Sequence, residues 1–276
     1  MVAALRLEDA PSVLQMPVRA ALFTLSLPLG RILARFDAHI ETLGVARAAA
    51  AVLTDLSATW TRDGACPPAS GPLLVVANHP GAYDALVLLA AIGRDDTAIL
   101  ASDRPILRAM PSLARHLICI PDATSGATAK RARGLRLALS HLNRGKALVH
   151  FGGGRIEPDP AFAIEAGVEL LARWPLGTAA LVRGAERAQG AVVAAIVEGV
   201  HSPRAKRLWV TRLAETHGLT TLAPLLQIGI RRYREVAARV RFAGATPASE
   251  LTAGGAGDAA ITARARDRAA ALLNAP

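Results

Sequence analysis

Apolar positions along the chain repeat with two periods. Over residues 17–40, apolar clusters are broken by Arg19, Arg31, Arg35 and Asp37, the spacing that gives a helix one apolar and one polar face. Such a helix either packs on the body of the protein or lies along a membrane surface, and the pattern allows both. Residues 45–60 form a second helical stretch, after which "TRDGACPPASGP" supplies the turn residues of a connector ending near Pro72. From Leu73 onward the apolar runs shorten. "LLVVA", "TAIL", "LICI", "KALVHF", "AVVAAIV" and "ARVRFA" read as strands alternating with longer helical patterns, which predicts an α/β fold with a mixed, largely parallel sheet flanked by helices. Residues 244–257 are rich in Ala, Gly, Thr and Pro, and "DAAITARARDRAAALLNA" after them predicts a closing helix with Asp258 as its N-cap. The expected organisation is an N-terminal amphipathic helical segment over 1–62, an α/β domain over 63–251, and a flexible stretch with a helix over 252–276.

Within this pattern, "LLVVANHPGAYDALVLLAAIG" places two titratable residues, His79 and Asp84, in an otherwise apolar run. "LLVVA" is a buried strand by its composition. "ALVLLAAIG" is too long for a typical strand and ends on a helix-stop glycine, so residues 78–84 form the turn between them. A residue before proline is biased toward extended backbone, which puts His79 at the strand end with its ring able to face a cleft. Asp84 falls at the helix N-terminus, where backbone N–H groups favour a carboxylate, and the Pro-Gly turn folds it back toward His79. A carboxylate on one ring nitrogen sets the tautomer and leaves the other nitrogen to take a proton from a hydroxyl. A structural reading stands beside this one, in which Asp84 caps the helix and His79 satisfies a local backbone group.

A second cluster, "FGGGR", comes after the strand "KALVHF". Glycines let backbone N–H groups approach an anion closely, and Arg155 adds a planar donor pair suited to phosphate. A tight turn explains the same glycines. The string completes neither a Walker loop nor G-x-G-x-x-G, and the chain has no G-x-S-x-G elbow. The remaining histidines, His39, His116, His141, His150, His201 and His217, show no metal-ligand spacing, so no metal is expected.

Composition narrows the partners. A chain of 276 residues with 52% hydrophobic content can bury a sizeable core. Its net charge of +10, carried almost wholly by arginine, calls for an anionic partner. With 4% aromatics there are few platforms for base stacking, and nucleic acid is not expected; an anionic lipid surface or a phosphorylated substrate fits. No apolar run reaches the roughly 18 residues needed to span a bilayer. Arg6, Glu8 and Asp9 stand where a signal peptide would need an apolar core, and Cys66 and Cys119 form no disulfide framework. The expected location is cytoplasmic, peripheral on the inner face of the membrane.

The motif "NHPGAYD" is similar to the N-H-x-x-x-x-D signature of the glycerolipid acyltransferases, the family of lysophosphatidate and glycerol-3-phosphate acyltransferases. "ALVHFGGGRIEPDP" resembles the family's second block, F-P-E-G-T-R-S, through Phe151, Gly154 and nearby Arg155. The stretch from Ile99 to Asp122 resembles the region leading to the family's acceptor motif, without its G-x-x-F-I-D-R, and "VRFAGATPASEL" resembles its late strand and F-G-x-P segment. The resemblance covers residues 73–251. This chain departs from it at Gly153, where the family has glutamate, at Arg155, one position before the family arginine, and in "AVVAAIVEG", which lacks the proline of the fourth motif. Glu157 either supplies the displaced carboxylate or belongs to a rigid turn with Pro158 and Pro160.

The resemblance implies an O-acyltransferase of phospholipid synthesis. It would move a fatty acyl group from acyl-CoA or acyl carrier protein to the hydroxyl of a lysophospholipid, glycerol phosphate or related lipid acceptor, with no other cofactor. His79 would be the base and Asp84 its orienting partner. Asn78, Gly152, Gly153, Gly154, Arg155 and Glu157 would contact substrate, the glycine N–H groups receiving the oxyanion and Arg155 the acceptor phosphate. Two other readings stay open: a His–Asp thioesterase that uses water, and a lipid-binding homologue without catalysis.

Overall fold

The computed structural model describes residues 12–121, 127–163, 171, 174–216 and 222–274. Two helices, α1 (Ser12–Leu43) and α2 (Val45–Asp55), meet at Gly44, whose φ of 79° turns the chain. The same glycine leaves room for Asp95, whose carboxylate accepts the Ala46 N–H at the start of α2 at 3.1 Å. Arg6, Glu8 and Asp9 lie outside the described residues, and side chains of α1 are described from Leu27 onward. There Ile32, Phe36 and Ile40, one helical turn apart, are buried in the same core as α2 and the sheet, while Arg31 and Arg35 are exposed. This half of the helix packs on the body of the protein.

Strands and helices then alternate: β1 (Ala58–Gly64), β2 (Leu73–Ala77), α3 (Asp84–Ile92), β3 (Ala98–Ala101), α4 (Pro105–Arg108), α5 (Pro111–Ala114), β4 (Leu117–Cys119), α6 (Thr128–Asn143) and β5 (Ala147–Phe151). After β5 come α7 (Pro160–Ala163), α8 (Gly177–Arg187), β6 (Ala191–Glu198), α9 (Pro203–Lys206), α10 (Trp209–Thr216) and α11 (Leu222–Gly229). The chain closes with β7 (Val236–Phe242), β8 (Thr246–Pro247), α12 (Ala248–Thr252) and α13 (Asp258–Leu273).

The strands form one sheet of eight in the order β1-β7-β6-β2-β5-β3-β4, with β8 beside β6. β2 to β6 run parallel, β7 is antiparallel to β6, and β1 is parallel to β7. This is the mixed, largely parallel sheet expected. β2 lies at its centre and all five of its side chains are fully buried. Leu73, Val75 and Ala77 face the layer that contains α1, α2 and α3, whereas Leu74 and Val76 face the layer of α6, α8 and α13. Burial on both faces explains why "LLVVA" is a continuous apolar run instead of an alternating one.

Three expectations are corrected. The division at 62/63 falls inside β1, which pairs with β7 along its whole length, so the N-terminal helices and the sheet share one core. The helical reading of residues 45–60 ends at Asp55, and residues 61–64, read as connector, are strand. Gly257, not Asp258, is the N-cap of α13; Asp258 sits in the first turn, and Ile261, Ala265 and Ala269 bury that helix against the body.

Candidate active site

β2 ends at Ala77, and the next residue anchors the turn that leaves the sheet. Asn78 is buried, its amide Nδ2 donating to the Val197 carbonyl at 2.8 Å and its Oδ1 accepting the Val197 N–H at 2.7 Å. Both polar ends are thus spent on β6. Asn78, expected at the substrate, braces the strand ends through this pair of bonds. Beyond it the chain turns sharply, with Gly81 at φ 88° and Ala82 at φ 54°, the latter a left-handed conformation that a side chain disfavours. That turn brings the first residue of α3 back over the strand end.

His79 and Asp84 meet there. The His79 Nδ1 lies 2.7 Å from Asp84 Oδ2, which also accepts the Gly81 N–H at 2.8 Å; Asp84 Oδ1 accepts the Ala85 N–H at 2.6 Å. With only 3% of its side chain exposed, the carboxylate is held on every side by donors. The imidazole stacks on Phe151, with ring centroids 4.1 Å apart and planes at 23°, so its orientation is fixed by β5 as well as by Asp84. Among the described residues Nε2 has no partner, and 28% of the His79 side chain reaches the surface. Burial is the largest influence on the ring and pushes its pKa down. The Asp84 hydrogen bond, the Asp84 charge and the Glu157 charge together outweigh it, and His79 titrates above the ordinary 6.5.

The turn after Phe151, expected as an anion cradle, spends two of its three glycine N–H groups on the backbone. The Gly152 N–H donates to the Ala77 carbonyl at 2.8 Å, and the Gly154 N–H to the Phe151 carbonyl at 3.0 Å. Of the three glycines, Gly153 alone keeps an N–H without a partner among the described residues. The sequence GGG is instead a matter of space: a side chain on Gly152 would run into the Trp174 indole, Gly154 takes φ 63°, and a Cβ on Gly153 would stand 2.6 Å from the Glu157 carboxylate.

Glu157 therefore fills the volume that a side chain at position 153 would occupy. Its Oε2 accepts the His79 backbone N–H at 2.9 Å, its own N–H donates to the His79 carbonyl at 2.8 Å, and the Trp174 indole N–H reaches Oε1 at 3.4 Å. Glu157 was expected at the substrate, and the structure places its carboxylate in this clamp on the histidine backbone. Burial raises the carboxyl's pKa, against the opposing pull of the His79 and Trp174 donors and the nearby His79 and Arg155 charges. Arg155 is exposed at the mouth of the same turn.

Sequence reasoning missed Phe151 as the ring support, Trp174, and Asp159. Asp159 is buried between Pro158 and Pro160 and accepts the Gly199 N–H at 2.8 Å and the His201 N–H at 3.1 Å, tying the Glu157 loop to the end of β6. Its two flanking prolines were its one local signal. His116 and His141 bond to backbone carbonyls, and His150 Nε2 lies 3.0 Å from the Thr178 hydroxyl; His217 lies outside the described residues. Among the described residues no group of three or more His, Cys, Asp or Glu is placed to hold a metal ion.

Residues 62–197 match the sequence model of the family described as Acyltransferase, a span that holds the His79–Asp84 pair, the Phe151 turn and Val197, the partner of Asn78. The segment that carries the candidate site is similar to the Acyltransferase family. No curated protein matches it. Among solved structures, the 1-acyl-sn-glycerophosphate (LPA) acyltransferase PlsC from Thermotoga maritima is similar at 11% identity with a TM-score of 0.51, over 95% of this chain and 98% of that one. At that identity the likeness is one of fold. In this chain β7 and the helices from α9 to α13 lie beyond the matched segment and complete the sheet and its covering layers.

Proposed function

We propose that this protein moves a fatty acyl group from a thioester, acyl-CoA or acyl carrier protein, to the hydroxyl of a lysophospholipid, glycerol phosphate or related lipid. The observation that carries the reading is the 2.7 Å contact of His79 Nδ1 with a buried carboxylate, which leaves Nε2 turned outward and unpartnered among the described residues. Asp84 keeps the proton on Nδ1, so Nε2 accepts the proton of the acceptor hydroxyl as its oxygen attacks the thioester carbonyl. A tetrahedral oxyanion forms, for which the Gly153 N–H is the available backbone donor on this turn. Collapse breaks the C–S bond, and the His79 proton passes to the departing sulfur. No side chain is acylated. The acyltransferase works in this reading at the cytoplasmic face of a membrane, peripherally: among the described residues no helix is long and apolar enough to cross one.

Arg155 is the residue we assign to an acceptor phosphate, because a guanidinium offers two aligned N–H donors where lysine offers a point charge. Steady-state kinetics on matched acceptors with and without phosphate test this. Arg155→Lys weakens the phosphorylated acceptor by about 1.5 to 3 kcal/mol, the range for a lost charge-assisted hydrogen bond, and leaves the donor's apparent affinity unchanged. Equal losses on both acceptors remove glycerol phosphate and lysophosphatidate from the proposal.

A further inference from the structure

Because β2, β3, β5 and β6 are parallel, the segments after them leave the sheet on the edge where His79 sits. Those segments carry large apolar side chains exposed to solvent: Ile106 after β3, Ile156 and Leu176 after β5, and Trp209 and Leu213 after β6. The last two stand out. Trp209 is 74% exposed and Leu213 52%, one helical turn apart on α10. The opposite face of α10 is locked down: Thr211 is fully buried, its hydroxyl 2.8 Å from the Ala205 carbonyl and 2.7 Å from that of Leu208. Arg207 and Arg212 are exposed beside the apolar pair.

The support under α10 is tied to the catalytic turn. Asp159, two residues beyond Glu157, holds the Gly199 and His201 N–H groups, and the Lys206 ammonium lies 5.1 Å from the centre of the Phe162 ring. An indole with flanking arginines suits the boundary of a bilayer that contains acidic lipids. A protein partner fits less well, since the helix has eight residues. That is about 12 Å of helix roughly 10 Å wide, well short of the ~800 Å² per partner of a stable protein interface.

We propose that α10 is an interfacial anchor that sets the catalytic edge on an anionic bilayer, Trp209 and Leu213 entering the headgroup boundary while Arg207 and Arg212 meet lipid phosphates. The inference draws on the lipid-acceptor reading for its setting, but binding to vesicles is measured without turnover. The full chain is sedimented with vesicles of phosphatidylcholine alone or mixed with phosphatidylglycerol, and its tryptophan emission is followed with brominated acyl chains. The wild type binds the anionic vesicles and is quenched; Trp209→Phe loses the quenched component, because Trp174 is buried and Trp60 half-buried whereas Trp209 is exposed. Trp209→Ala with Leu213→Ala lowers partitioning by at least about tenfold while far-UV circular dichroism and transfer to a short-chain, water-soluble acceptor stay at wild-type levels. Unquenched Trp209, or partitioning unchanged in the double variant, overturns the anchor. So does concentration-dependent self-association that buries Trp209 without vesicles, which assigns the face to a second copy. Transfer absent on every acceptor refutes the acyltransferase reading alone, and the vesicle result still decides the anchor.

Discussion

Glu157 shows how one carboxylate can act on the proposed base through its backbone and through its charge. It holds the His79 backbone from both sides, and its charge is among the influences that raise the imidazole pKa above 6.5. The base works as the neutral ring, so the rate rises with pH through a midpoint above that value. Glu157→Gln keeps an acceptor for the His79 N–H and removes the charge; the midpoint therefore moves to lower pH, with kcat at high pH lowered by less than about tenfold. A pH–rate profile of the two proteins checks the direction, and an unmoved midpoint would assign Glu157 to structure alone. The pairing of His79 with Asp84 was legible in the sequence because it is local, five residues joined by a turn whose chemistry is written in Pro80 and Gly81. Glu157 was legible only as an alternative, since its partner lies 78 residues away, and the choice was made by the space that Gly153 leaves open.

Among the elements, the parallel strands announced themselves because burial on both faces demands unbroken apolar runs. β1 did not. It is an edge strand with most of its side chains at least partly exposed, and Thr61–Gly64 has the composition of a turn; only pairing with β7, far along the chain, makes it strand. The structural part of Asn78 was hidden for a similar reason. As part of a catalytic signature it suggested a substrate contact, but its amide closes a gap between β2 and β6 that no local pattern reveals. Asn78→Ala leaves the Val197 N–H and carbonyl without their side-chain partner. The expected destabilisation is about 2 to 4 kcal/mol in urea unfolding, accompanied by a fall in activity as the His79 turn loosens. A loss below about 0.5 kcal/mol would show that Val197 is satisfied without the asparagine.

On the scale of the whole molecule, both ends of the described chain join the central body: α1 and α2 share the core layer beneath α3, and α13 closes the other layer. His150 bridges that second layer from β5 to Thr178 in α8, and burial pushes its pKa down from 6.5 to about 4. A depressed histidine contributes stability that is full above its unfolded pKa and is lost as pH falls toward its folded one. Folding stability should therefore decline between pH 6.5 and about 4, by up to about 3 kcal/mol from this residue, and a denaturant series should find the decline shallower in His150→Gln. Parallel curves for the two proteins would place the acid sensitivity elsewhere. The proposed chemistry turns on His79 acting as the base for acyl transfer to a hydroxyl. The direct measurement tracks labelled acyl-CoA and a panel of lysolipid and glycerol phosphate acceptors with wild type and His79→Ala, each verified as folded. Wild type should yield acylated acceptor, and His79→Ala should lose that product by about 10² to 10⁴ in rate. Near-normal transfer by His79→Ala, or release of free fatty acid at one rate with and without acceptor, would contradict it.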